Sequence, residues 1–271
     1  MSDINGKIVT KVITLFIKDS LRKNGFKRAV IGVSGGIDSA VVLELTVRAI
    51  GSDNVLALLM PYRSSSSESL SHGKLICEKT GVDFKTVDIS PSVDSYFSRF
   101  PTEDKMLIGN KCARERMSVL YDFSAREKAL VVGTSNKSEM LIGYSTIYGD
   151  SAAALLPIGD LYKTEVFDLA KYLDIPGEIV EKSPSADLWK DQTDEGEIGM
   201  TYSELDEILF ALFDGRESKQ ALVKRGFSES KVEKIWKMVI NSQFKRTLPP
   251  VTKIHYRTIG LDFRYPRDWN R

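Results

Sequence analysis

Residues 34–39, Ser-Gly-Gly-Ile-Asp-Ser, follow the apolar run Val30-Ile31-Gly32-Val33 and precede a stretch with helical spacing. Gly35 and Gly36 permit unusual backbone angles and leave no side chain in a ligand's way. Successive backbone N–H groups at the start of a helix form an anion nest, and Ser34 and Ser39 add hydroxyl donors. Such a loop holds phosphate without a lysine. It fits neither GxxxxGK[ST] nor GxGxxG, which disfavours γ-phosphate transfer and a dinucleotide grip. Asp38 sits where phosphates would arrive. A carboxylate beside a polyphosphate is repulsive unless a cation lies between them, and Mg²⁺ is the usual one. The competing reading needs no ligand: Asp38 caps the following helix.

A loop of this kind must be held at the end of a strand. The run 28–33 reads as that strand, with a helix from about 39 to 50 behind it. Residues 54–61, 82–89 and 129–134 read as three more strands, and 152–158 as a fifth. Serine-rich 63–69 leads into a helix ending near Gly81. A long helix over 105–128 carries Met106, Asn110, Ala113, Met117 and Leu120 on one face. Continuously apolar strands alternating with helices predict a doubly wound parallel α/β sheet of five strands, Rossmann-like, covered on both faces. Ligands of such sheets bind beyond the strand C-termini, so the loop at 34–38 and the residues after Thr134 should share one crevice. From 163 onward the pattern is helical, over 163–173, 201–212, 217–225 and 228–242, and predicts C-terminal helical additions. Without a linker or repeat, 1–271 reads as one domain, with a core of about 10–250 and a basic tail from about 245 to 271.

The formal net charge of +1 gives no electrostatic reason to expect nucleic acid or a membrane as partner. Cys77 and Cys112 are too few for a disulfide framework, and His72 and His255 too far apart for an HExxH site. The first residues lack a cleavable signal pattern, and a cytoplasmic protein is expected. In the first helix, Ile4, Ile8, Val12, Leu15 and Phe16 recur at helical spacing among lysines, which predicts an amphipathic face that packs on something.

SGGxDS after a first strand resembles the loop of the N-type ATP pyrophosphatases, with their adenine nucleotide alpha hydrolase-like fold. Within that group, GTSNKSE (133–139), YGD (148–150) and LPIGDLYKTEV (156–166) are similar to the ammonia-dependent NAD synthetases. NKCARERMSVLYDFS (110–124) and KSPSADLW (182–189) match the same family, in family order. The resemblance implies amidation of deamido-NAD⁺ by ammonia. ATP is co-substrate, the intermediate is an adenylate, and AMP and pyrophosphate are released. It further implies Mg²⁺, a cytoplasmic homodimer, and the dinucleotide at the subunit interface, a contact the first helix could serve. The alternatives are another ATP pyrophosphatase, such as a tRNA-modifying ligase, or a non-catalytic ATP-binding module of the same fold.

By that resemblance Gly32, Val33, Ser34, Gly35, Gly36, Ile37, Asp38 and Ser39 hold ATP, with Thr134, Lys163 and Ser185. Asp38 and Glu139 carry the metal, and Lys163 brings the positive charge that the loop lacks. Arg114, Asp150 and Lys245 meet deamido-NAD⁺, with Asp150 near the recruited ammonium. Each has a plainer reading. Glu139 lies three residues after Asn136, a capping-box spacing. Thr134 ends a strand, Lys163 is a solvated helix start, and Ser185 and Asp150 form turns. Arg114 lies one step off its helix's apolar stripe. Ile147 and Ala154 stand where many members of the family have lysine and aspartate, and Phe244 replaces the histidine of a His-Lys pair, all on the dinucleotide side. The loops at 63–69 and 186–200 read as lids or as mobile surface.

Overall fold

The computed structural model describes residues 4–185 and 193–259. Four strands, β1 (Arg28–Gly32), β2 (Val55–Leu59), β3 (Asp83–Thr86) and β4 (Ala129–Val132), pair in the order β3-β2-β1-β4. All three pairings are parallel, with Ala29 opposite Val55 and Ile31 opposite Val132. The expected fifth strand is one bridge long, Val132 with Leu155. Hydrogen bonds from Ala154 N to Val131 O and from Gly133 N to Leu155 O carry the sheet one step further, and the chain then turns at Pro157.

The helices are α1 (Gly6–Lys23), α2 (Ile37–Ile50), α3 (Ser67–Thr80), α4 (Ser90–Arg99), α5 (Lys105–Glu127), α6 (Lys137–Ile142), α7 (Lys163–Tyr172), α8 (Gly177–Val180), α9 (Asp194–Ile198), α10 (Tyr202–Leu209), α11 (Lys219–Lys224) and α12 (Glu229–Asn241). The sequence pattern assigns nothing to 90–99, where α4 opens on Pro91 and packs through Val93. The strands' period of two explains the two layers. Ala29, Ile31, Val55, Ala57 and Leu59 join the apolar cluster under α1, α2 and α7, while Val30, Leu56 and Leu58 join that under α4 and α5. A third cluster, from Ile142 and Tyr162 to Val239, is the core of the helical additions.

α1 corrects the expected stripe. Its core face is Ile13, Ile17 and Leu21, at a spacing of four residues. Ile8, Val12, Leu15 and Phe16 face outward, at 58%, 60%, 56% and 45% exposure. Apolar residues lie on both sides of this helix, so periodicity alone could not say which side meets the sheet. Ile4 is half-buried against the core, as expected.

β1 is flanked by β2 on one side and β4 on the other, so strand order reverses between β1 and β4. A sheet of this kind opens a crevice there, beyond the strand ends.

Candidate active site

The crevice has a volume of about 500 Å³ and lies over the ends of β1, β2 and β4. Of the residues expected to hold ligands, all but Gly35 and Arg114 line it. The forecast face of α5, Met106, Asn110, Ala113, Met117 and Leu120, forms one wall. A shallower groove beside α12 shares only Gly143 and Lys245 with it.

Gly35 has φ +79°. A Cβ there would lie 2.0 Å from the Ser69 carbonyl oxygen in the first turn of α3. The need for glycine therefore comes from a neighbouring helix. Gly36 has φ −92° and ψ 163°, extended values open to any residue. The loop serines serve the loop as well: Ser39 Oγ donates to the Gly36 carbonyl (2.9 Å), and Gly36 N–H donates to Ser34 Oγ (3.2 Å). What faces an anion is the set of unsatisfied N–H groups in the first turn of α2.

Asp38, in that turn, makes no cap for α2. Its Oδ1 accepts from Asn136 Nδ2 at 2.9 Å and its Oδ2 from Lys163 Nζ at 2.5 Å. The capping reading of Asp38 fails. For Glu139 the capping-box reading holds, and the carboxylate also lines the crevice. Its N–H donates to Asn136 Oδ1 (3.0 Å), and its Oε2 accepts Asn136 N–H (3.3 Å), closing a capping box. Its other oxygen, Oε1, lies 3.5 Å from Lys163 Nζ. Burial, then the Asp38 charge, push the Glu139 carboxyl up to about 8.

Lys163 is no solvated helix start: its side chain is 2% exposed. Burial opposes its charge, but Asp38 and Glu139 outweigh that and raise its proton affinity. The Tyr202 ring lies 5.1 Å from the ammonium. Asp194 completes the cluster, accepting from Tyr144 (3.2 Å) and Tyr202 (3.1 Å), and burial raises its carboxyl. Residues 193–200 thus contain a short helix with a buried acid where the sequence suggested a mobile lid. Residues 186–192, the rest of that segment, and 260–271 of the basic tail lie outside the described residues.

At the other end Asp150 keeps an accessible surface but is recessed, and desolvation raises its carboxyl. The N–H of Thr146 (2.7 Å) and the charge of Lys245 pull the other way. Lys245 donates to the carbonyls of Gly143 (2.8 Å) and Ser145 (2.6 Å), and burial lowers its proton affinity. Thr134 and Ser185 also line the crevice. Arg114 is exposed outside the crevice, its Nε donating to the Ile147 carbonyl at 3.3 Å. Ala154 packs on the core, and Phe244 is 59% exposed beside the outer groove.

Two crevice cations escaped the sequence reading. Arg116 donates to the Met60 carbonyl (3.0 Å), and Lys182 donates to Ser69 Oγ (2.7 Å). Ser69 is the residue on which Gly35 packs, so Lys182 stands beside the glycine loop. Both residues lie inside quoted motifs. The signal available was that Arg116 falls three residues after Ala113 and so shares its face.

Asp38 and Glu139 repel one another across a site with a single lysine between them, and the hard oxygen donors suit a divalent cation. No group of three or more His, Cys, Asp or Glu placed to hold a metal occurs among the described residues. Remaining ligands would have to come from substrate phosphates or water, a usual arrangement for Mg²⁺.

The family model for NAD synthase matches residues 9–249. An NH(3)-dependent NAD(+) synthetase of Trichlorobacter lovleyi is 51% identical, over 99% of this chain and 98% of the relative. One of Chlorobium phaeobacteroides is 50% identical, over 97% and 95%. Among solved structures, an NMN synthetase from Francisella tularensis superposes with a TM-score of 0.83 at 33% identity, covering 93% of this chain and all of the other. An NH3-dependent NAD synthetase from Campylobacter jejuni, in complex with nitrate, gives 0.79 at 34%, covering 92% and 100%.

Proposed function

The chain belongs to the NAD synthase family, and from that premise we propose a division of labour within its crevice. The reaction is the ATP-dependent amidation of deamido-NAD⁺ by ammonia, a ligase reaction that forms a C–N bond. The observation that carries the assignment of residues is the meeting of Asp38, Glu139 and Lys163, from three helix N-termini, at the switch in strand order.

In the first half-reaction the nicotinate carboxylate attacks the α-phosphorus of ATP, and the bond to the α–β bridging oxygen breaks. The N-terminal turn of α2 holds the departing pyrophosphate. Mg²⁺, bound by Asp38 and Glu139, would neutralise charge on the phosphate oxygens. Lys163 holds the two carboxylates at a fixed separation. Being buried between them, it is a weaker candidate for reaching the phosphates than Lys182 or Arg116, which line the open crevice. Burial and the Asp38 charge raise the proton affinity of Glu139, so a cation bound there would compete with a proton.

In the second half-reaction ammonia attacks the acyl carbon, and the C–O bond to AMP breaks. A neutral amine is the nucleophile, and Asp150, with its raised proton affinity, accepts the proton ammonium must shed. Lys245 steadies the turn around Asp150 and faces the dinucleotide, while Thr134 and Ser185 meet ATP.

Arg114 lies outside the crevice of a single chain, and α1 exposes Ile8, Val12 and Leu15. Both fit a homodimer in which a second copy completes the dinucleotide site. No helix among the described residues is long and apolar enough to cross a membrane. We take 1–271 as one domain, its helical additions packing on α6 and α7. The segment 63–66 serves as a lid over ATP.

The test is direct. Purified protein with ATP, Mg²⁺, ammonium and deamido-NAD⁺ should yield NAD⁺ and AMP in equal amounts, and glutamine should not replace ammonium. Absence of both products refutes the assignment. Nicotinate mononucleotide is the comparison substrate, because the Francisella neighbour is an NMN synthetase. Preference for it would move the reading to the mononucleotide.

A further inference from the structure

Asp206, on α10 in the helical additions, is 0% exposed and does not line the crevice. Its carboxylate reaches two other helices. Oδ1 accepts from Ser138 Oγ at 2.5 Å. Oδ2 accepts from Thr164 N at 2.8 Å and from Thr164 Oγ1 at 2.9 Å. Ser138 Oγ in turn accepts the backbone N–H of Lys163 at 2.9 Å.

The placement is specific. Ser138 immediately precedes Glu139 in the first turn of α6, and Thr164 immediately follows Lys163 in the first turn of α7. One buried carboxylate therefore spans the two turns that present the acid and the lysine. Burying an acid is costly unless it is hydrogen-bonded, and here three donors and two helix N-termini compensate. Anchorage of α10 alone would not require it, because Leu205, Ile208 and Leu209 on the same helix are fully buried. An apolar residue would serve packing at a smaller desolvation cost.

We propose that Asp206 is a positioning residue for the ligase reaction, a bracket that sets the spacing of Glu139 and Lys163 by holding Ser138 and Thr164. It rests on the reading of that pair given above. It acts through them, touching neither ATP nor the dinucleotide. The helical additions thereby govern the geometry of the phosphate end of the crevice.

Asp206→Asn keeps the shape but replaces one acceptor oxygen with a donor, so one anchor is lost. Folded Asp206→Asn should show kcat lower by about 10- to 100-fold, the usual effect of releasing a group that orients a ligand. Its KM for ATP should stay within about threefold, since uniform binding is untouched. Thr164→Val should lose less, and the double variant should be no worse than Asp206→Asn alone, as members of one network are not additive.

A folded Asp206→Asn with kcat within about twofold of wild type, or one whose loss falls on the KM for ATP and not on kcat, overturns the bracket. So do losses that multiply independently. Should Asp206→Asn fail to fold, Ser138→Ala and Thr164→Val carry the test, and wild-type kcat in both overturns it. Wild-type protein that makes no NAD⁺ refutes the underlying reaction instead, and the bracket with it.

Discussion

The two ends of the crevice are built differently. At the phosphate end Asp38, Glu139 and Lys163 stand in the first turns of α2, α6 and α7, buried or nearly so, with every charged oxygen engaged. At the end we assign to the nicotinate, Asp150 lies in a turn, Lys245 in the short 3-10 helix Gln243–Arg246, and Arg114 is outside the crevice. On our reading the first end is complete in one chain, and the second needs a partner. On our reading, chemistry that must neutralise phosphate charge is thus held by buried helix starts. Recognition of the organic substrate is left to more exposed segments and, on our reading, to a second copy.

That contrast can be broken by separating the half-reactions. Asp38→Asn should reduce kcat by about 10³-fold, as loss of preorganised charge does, and pyrophosphate release should fall with it. Release at the wild-type rate would remove Asp38 from the phosphate chemistry. Asp150→Asn should cost about 10²-fold in amide formation, most at low ammonium, and leave ATP–pyrophosphate exchange intact. Equal loss of both half-reactions would erase the distinction between the ends.

Proton competition sharpens the phosphate end. Because the folded Glu139 carboxyl is raised to about 8, Mg²⁺ affinity with ATP present should fall by about tenfold per pH unit below that value. Glu139→Gln should flatten the dependence. The stability contribution has the corresponding sign: it is full below the ordinary glutamate value and is lost as pH rises through about 8. Thermal melts of wild type and Glu139→Gln between pH 5 and 9 should diverge accordingly. The smallest effect belongs to the interface. Leu15→Asp should shift the protein towards monomer in light scattering and raise the KM for deamido-NAD⁺ by about three- to tenfold, while ATP exchange changes less than twofold. A monomeric variant with unaltered KM would separate the dinucleotide site from the dimer.

The same division governs what could be read in advance. The apolar strand runs, the glycine loop and the Asn136–Glu139 spacing are local patterns, and they reappear as β-strands, the start of α2 and the start of α6. The wall of α5 was legible for the same reason. The outward face of α1 was not, because apolar residues on two sides leave the choice to tertiary packing. Lys182 and Asp206 owe their roles to partners 113 and 68 residues distant, and no spacing announces such a pair. The plainer reading of Lys163, a solvated helix start, does not survive its burial. Its burial follows from the two acids that meet it, and those arrive from elsewhere in the chain.

Gly35, pressed against the Ser69 carbonyl, makes the glycine loop and the start of α3 a single mechanical part. Any hinge for the serine segment must therefore lie before Ser69, within the turn at 63–66. For protein engineers the feature partitions the loop. Gly35 is a structural rivet that variation will not pass through, whereas Gly36 is free of that backbone constraint and is the place to begin retuning nucleotide preference.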